Sequence, residues 1–176
     1  MKSLLKPALI PALTTLVVSI AIFEIAATVV YFNNITLSRF MGYSNAFFTA
    51  LLSPIFYIFL LFLSWQIIKR FHKDAEWPAF ELCAKNVLTG IAFYEAARLA
   101  LAVLFLSDET PGYTMATLQN TKWFQYQKWL SYAFPIIFGS LLALLLIRTR
   151  KFSIGVVIIA AFVPFSAYLV LLLYKS

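Results

Sequence analysis

The chain has 176 residues, 62% hydrophobic and 12% charged, with a mean hydropathy of +0.88. A soluble domain carries roughly 45–50% apolar and 25% charged residues, so this excess of apolar side chains belongs in lipid and a soluble globular fold is excluded. The net charge of +7 sits in short basic segments beside apolar runs, where it orients spans and attracts anionic headgroups; no nucleic-acid partner is expected.

Six residues form a short basic start, and an apolar run follows over 7–32. Its apolar part exceeds the roughly 7–15 residues of a signal-peptide core and lacks a small-x-small cleavage site, so it is expected to stay as a helix. Pro11 falls in its first turns, where a missing N–H is tolerated. Glu24 is the lone acid of this run. It reads as a protonatable relay, as a third partner for Arg98, or as a carboxyl near the end of the span that reaches the interface. Residues 33–44 are expected to form a loop with one cation, Arg39, and Asn34-Ile35-Thr36 matches the N-glycosylation pattern, which is common by chance.

A second run over 45–68, rich in Phe and Leu, contains Pro54 and exits through Trp65 into the basic cluster Lys69-Arg70-Phe71-His72-Lys73. Aromatic residues gather at membrane interfaces and basic clusters on the cytoplasmic side. The loop 74–84 follows, and in it Trp77-Pro78-Ala79-Phe80 is expected to dock on the membrane surface as a short interfacial helix.

The third run, 85–106, carries two charges, Glu95 and Arg98. A charge at mid-bilayer costs roughly 2.5–3.5 kcal/mol on insertion scales. Three residues apart, these two lie on nearly the same side of a helix and can pair. One carboxylate does not satisfy every guanidinium donor, so the pair is expected to face other helices. Ala92, Ala96 and Ala100 recur at four-residue spacing, which would let another helix approach closely. The pair reads as a substrate or proton site, or as a structural lock on helix packing.

Residues 107–128 read as a polar-aromatic loop with the acidic pair Asp108-Glu109 and a turn at Pro111-Gly112. From Thr114 the pattern is helical, with Met115, Leu118, Trp123 and Tyr126 on one broad face. Trp123, Phe124, Tyr126 and Trp129 form an aromatic belt or, alternatively, a ligand platform. The expected interface anchors are thus Trp65, Trp77, Trp123, Tyr126 and Trp129. The fourth run, 129–147, contains Pro135 and Gly139-Ser140; a basic turn leads to the fifth, 152–174, which contains Pro164. A proline inside a membrane helix frees a carbonyl that neighbours or water must satisfy. Only the charged third run lacks one, which predicts a straight central helix among kinked neighbours.

With the N-terminus inside, the inner side holds about nine Lys and Arg and the outer side about four, a positive-inside bias. The expected fold is all-α: a single integral membrane domain, a polytopic bundle of five transmembrane helices, N-terminus in and C-terminus out. The ending Tyr174-Lys175-Ser176 carries no retention or lipidation signal, which leans towards a bacterial inner membrane.

Catalytic motifs are absent: there is no HExxH, no GxSxG and no phosphate-binding glycine loop. A single cysteine, Cys83, rules out an internal disulfide or a CxxC pair, and the one histidine, His72, completes no metal set. Asp74, Glu76 and Glu81 share a loop without metal-site spacing. No cofactor is expected. The leading functional expectation is a non-enzymatic protein that binds membrane lipids and another membrane protein, or a second copy of itself. A second is a small transporter or substrate-binding subunit using Glu24, Glu95 and Arg98. A third is a lipid-modifying enzyme with Glu95 as base and Arg98 as phosphate clamp.

The stretch from Leu51 to Leu106 holds the aromatic end of the second run, the exit Ile68-Lys69-Arg70, and Trp77-Pro78-Ala79-Phe80-Glu81-Leu82-Cys83 leading into the third. With five spans and a very short turn between the last two, this resembles the Ypt-interacting-protein (Yip) domain family in its bacterial inner-membrane form. The resemblance implies roles in membrane organisation or trafficking, partner binding within the bilayer and no catalytic centre. The chain departs from the family in lacking a Gly-Gly pair before the third span and in carrying Glu95-Arg98 there. No functional residues carry over.

Overall fold

Each apolar run folds as one continuous α-helix, and the residues flanking three of the runs lengthen it. The computed structural model describes residues 2–32, 34–106, 112–114 and 117–175. Among these the helices are α1 (Leu5–Val29), α2 (Ile35–Phe71), α3 (Trp77–Phe105), α4 (Lys122–Arg148) and α5 (Ile154–Lys175). All five are long and apolar enough to cross a membrane. An isolated parallel bridge between Val30 and Tyr113 is the sole β pairing among the described residues.

Three boundaries differ from the sequence expectation, each for a local reason. α2 starts at Ile35 because Asn34 caps it, its side-chain oxygen accepting the Leu37 N–H at 3.0 Å. Nothing in 35–44 breaks a helix, so the expected loop is helical and the asparagine of the glycosylation pattern is the cap. Its 37 residues span roughly 55 Å, against a hydrocarbon core of about 30 Å. α3 starts at Trp77, with Pro78 in the first turn, where the lost N–H has no partner to lose. The expected interfacial helix is therefore the opening turn of α3. α4 starts at Lys122, where the Thr121 hydroxyl accepts the Phe124 N–H at 3.3 Å, after one 3-10 turn over Thr117–Asn120. Pro11, Pro54, Pro135 and Pro164 lie inside unbroken helices, and all four are buried in the bundle.

The helices close a ring. α1 packs on α2 and α3, α3 on α4, α4 on α5, and α5 back on α2. The connection over 72–76 carries the chain across this ring, since α2 and α3 barely touch. α3 is thus one wall of the ring, not the central helix expected from its lack of proline. Its buried face runs through Phe80, Ala84, Leu88, Ile91, Glu95 and Ala102. Ala96 and Ala100 are exposed, so the expected alanine face does not make the close approach.

One end of the ring gathers the chain start and the 72–76 and 149–153 connections, with their Lys and Arg residues; it is the basic end. There the interior is filled by Leu61, Ile68, Phe80, Leu88, Leu142, Leu146 and Val157. Trp65 packs on Trp77 at 5.2 Å and on Phe80 at 5.3 Å, so these two expected anchors are half-buried packing elements of this end. His72 accepts the Ser153 N–H on Nε2 at 3.2 Å, tying the two connections together. Further along the ring lies an aromatic layer. Phe134 is 2% exposed and meets Tyr94 at 4.6 Å, Tyr57 at 5.4 Å and Tyr168 at 6.3 Å. The chemistry begins on the far side of this layer.

Candidate functional site

Glu95 is 2% exposed, although it carries a carboxylate on a helix long and apolar enough to cross a membrane. Both of its oxygens are engaged. Arg98 Nη1, one turn along α3, donates to Oε2 at 2.8 Å, and the Thr15 hydroxyl on α1 donates to Oε1 at 3.0 Å. A buried ion pair is tolerable only when its remaining hydrogen-bonding groups are also satisfied. α4 supplies the next partner: Arg98 Nε donates to Gln127 Oε1 at 3.4 Å, and Gln127 Nε2 donates back to the Arg98 carbonyl at 2.9 Å. The expected pair therefore forms, faces other helices, and joins α1, α3 and α4. Arg98 Nη2 is left without a partner among the described residues.

Arg98 also lines a cavity of about 270 Å³ inside the ring. α1 contributes Ser19, α2 contributes Asn45 and Thr49, and Trp123 stands at the start of α4. Apolar walls come from Ile22, Ala26, Ala46 and Leu118. Two buried donors have no partner among the described residues: the Trp123 indole N–H, in the cavity wall, and the Ser53 hydroxyl, one turn along α2 from Thr49 and not itself in the wall. Buried polar groups are ordinarily hydrogen-bonded, and each orphan calls for an explanation. Asn45, Thr49 and Ser53 follow one another at four-residue spacing, a polar stripe within the apolar run of α2. A space lined by a guanidinium, an amide and hydroxyls can hold a group rich in hydrogen-bond acceptors.

Gly42 bounds this cavity through its lack of a side chain. A Cβ there would stand 2.6 Å from the Phe23 ring, which is itself held between Phe32 at 6.0 Å and Tyr43 at 5.9 Å. Gly42→Ala is expected to force the ring aside and destabilise the α1–α2 contact by about 1–3 kcal/mol. A lowered unfolding midpoint in detergent, with helix content retained, checks this.

Glu24 does not join the site. It accepts two hydrogen bonds from Arg39, Nη2 at 2.9 Å and Nε at 3.1 Å, and a third from the Tyr43 hydroxyl, all across the α1–α2 seam. The structure thus brings Glu95 and Arg98 together and leaves Glu24 with α2. The three-residue site of the transporter expectation does not assemble.

The expected anchors divide. Tyr126 and Trp129 are exposed, Trp129 against Tyr132 at 6.2 Å, whereas Trp123 turns inward. The turn at Thr121 interrupts the helical face that was to join Leu118 to Tyr126. Met115, the first member of that face, and Asp108, Glu109 and Pro111 lie outside the described residues. At the basic end, Glu76 pairs with Lys151 at 3.1 Å and Glu81 with Lys85 at 2.6 Å. Cys83 is a buried free thiol beside the Ala79 carbonyl.

Sequence reading missed Thr15, Gln127 and the Asn45–Thr49–Ser53 stripe. The stripe had a signal, polar residues at four-residue spacing within a span; Thr15 and Gln127 had none, because only the ring brings them to α3. No family model, no curated protein and no solved structure matches the chain.

Proposed function

We propose that this chain is a non-enzymatic integral membrane protein that binds an acceptor-bearing ligand inside its helix ring, as a substrate-binding subunit or a small carrier. The observation behind this reading is Arg98 in the wall of a cavity that also holds Ser19, Asn45 and Thr49, with Nη2 lacking a partner among the described residues. A residue serving packing alone would have all its donors turned into the network that holds it. Here Glu95, Thr15 and Gln127 fix the guanidinium and leave one edge for another molecule. The bias of Lys and Arg towards one end favours a cytoplasmic placement of that end.

Native mass spectrometry of the protein, extracted gently from its own membrane, tests the reading. A small molecule or lipid bound in fixed ratio supports it. A chain that emerges bare overturns it. A protein partner in fixed stoichiometry with no ligand favours the Yip-like reading instead. For that second reading the relevant feature is the lipid-side groove of about 450 Å³ between α1 and α2, which is almost wholly apolar.

A further inference from the structure

Among the described residues, Arg98 is the one charged side chain in the wall of the cavity. Its charge is already matched. Glu95 uses both oxygens as acceptors, one for Arg98 Nη1 and one for the Thr15 hydroxyl, the pattern of an ionised carboxylate. Glu24, which follows Phe23 of the wall in the chain, is likewise matched by Arg39 at 2.9 Å. The remaining polar groups of the wall, the Ser19 and Thr49 hydroxyls and the Asn45 amide, carry no charge. The cavity is therefore lined by hydrogen-bonding groups without a net charge to offer. Ile22, Phe23, Phe32 and Leu118 make much of the rest of the wall apolar.

That balance decides between ligand classes. An anion drawn to Arg98 would share one guanidinium with Glu95 and leave the cluster with an excess negative charge, and like charges in one site disfavour each other. A cation would meet a guanidinium that has donors alone. An uncharged oxygen meets neither penalty and still accepts a charge-assisted hydrogen bond. We infer that the cavity takes a small uncharged molecule that presents a carbonyl or hydroxyl oxygen to Arg98 Nη2 and an apolar body to Ile22, Phe23 and Phe32. This is the chemistry of an amide, a ketone or an alcohol, and not of a carboxylate or a phosphate. It rests on the ligand-binding reading above and assigns its ligand class. Asn45 serves such a molecule both ways, since its amide donates and accepts. The volume of about 270 Å³ lies below the roughly 300–1,000 Å³ of pockets for drug-sized ligands, which sets the small size.

The test titrates the full chain, purified in a zwitterionic detergent, with two matched pairs: butyramide against butyrate, and benzamide against benzoate. The members of a pair have nearly the same shape and differ in charge. The rise of the unfolding midpoint with concentration gives each Kd. The wild type should bind each amide at least about tenfold more tightly than its carboxylate. Asn45→Leu should weaken amide binding about fivefold, the loss of one hydrogen bond, which separates the cavity from partition into detergent. Glu95→Gln keeps an oxygen for Arg98 Nη1 but removes the matching charge. It should reverse the order, with the carboxylates at least about tenfold tighter than in the wild type. Circular dichroism confirms an intact bundle in each variant; should Glu95→Gln fail to fold, the wild-type comparison and Asn45→Leu decide. Carboxylates bound as tightly as amides by the wild type, amide binding unchanged in Asn45→Leu, or no gain for carboxylates in folded Glu95→Gln overturns the inference. If no probe binds, the ligand class is wrong, and a molecule carried in fixed ratio from the protein's own membrane still upholds the binding reading. If no probe binds and the protein also leaves its own membrane bare, both fall.

Discussion

Glu95→Leu should lower the stability of the bundle by about 3 kcal/mol, the low end of the range of about 3–5 kcal/mol for removing one partner of a buried pair. The low end applies because the Arg98 side chain is 25% exposed and recovers some solvation. The variant leaves a guanidinium that cannot lose its charge facing apolar surface where the carboxylate stood, with only Gln127 to engage it. Replacing both partners, Glu95→Leu with Arg98→Leu, should restore most of the loss, since the charge and its partner disappear together. Thr15→Val should cost only about 1 kcal/mol, one hydrogen bond. Unfolding midpoints of the three variants in one detergent decide the matter. A double variant as unstable as the single one would show that the pair is not what couples α3 to its neighbours.

A comparable loss is expected from the aromatic layer. Phe134→Ala should destabilise by about 3–5 kcal/mol, the cost of removing a buried ring whose surroundings cannot collapse. The ring is held by α2 through Tyr57, by α3 through Tyr94 and by α5 through Tyr168. No single neighbour can fill its place without leaving another contact. Phe134→Leu, which keeps most of the volume, should cost less than about 1.5 kcal/mol. Equal midpoints for the Ala and Leu variants would mean that the layer is loosely packed and does not brace the ring.

Hydrophobic length made the five helices legible in the sequence, because a run of about 20 apolar residues has little choice of fold in lipid. Their ends were less legible. Polarity was read as loop over 33–44, but Arg39 is polar for the sake of Glu24, fifteen residues earlier and across a turn. Such a partner is invisible to any rule of helix spacing. The same limit explains the candidate site. Glu95 and Arg98 are one turn apart and could be paired on paper. Thr15 and Gln127 reach them only because the ring sets α1 and α4 on either side of α3. The order of helices around the ring was beyond reach for a related reason. Connection length alone does not reveal that the short segment 72–76 crosses the ring, placing α3 beside α1 and α4.

The length of α2 has a consequence for the bilayer itself. At roughly 55 Å it is about 25 Å taller than the hydrocarbon core. Tilting absorbs part of the excess, its charged ends at Arg39 and Lys69-Arg70 suit the head-group layers, and the annular lipids take up the rest by stretching beside it, at fractions of a kcal/mol per Å. Acyl-chain length thereby becomes a variable of this protein's stability, and thick and thin regions of one membrane are unequal hosts for it.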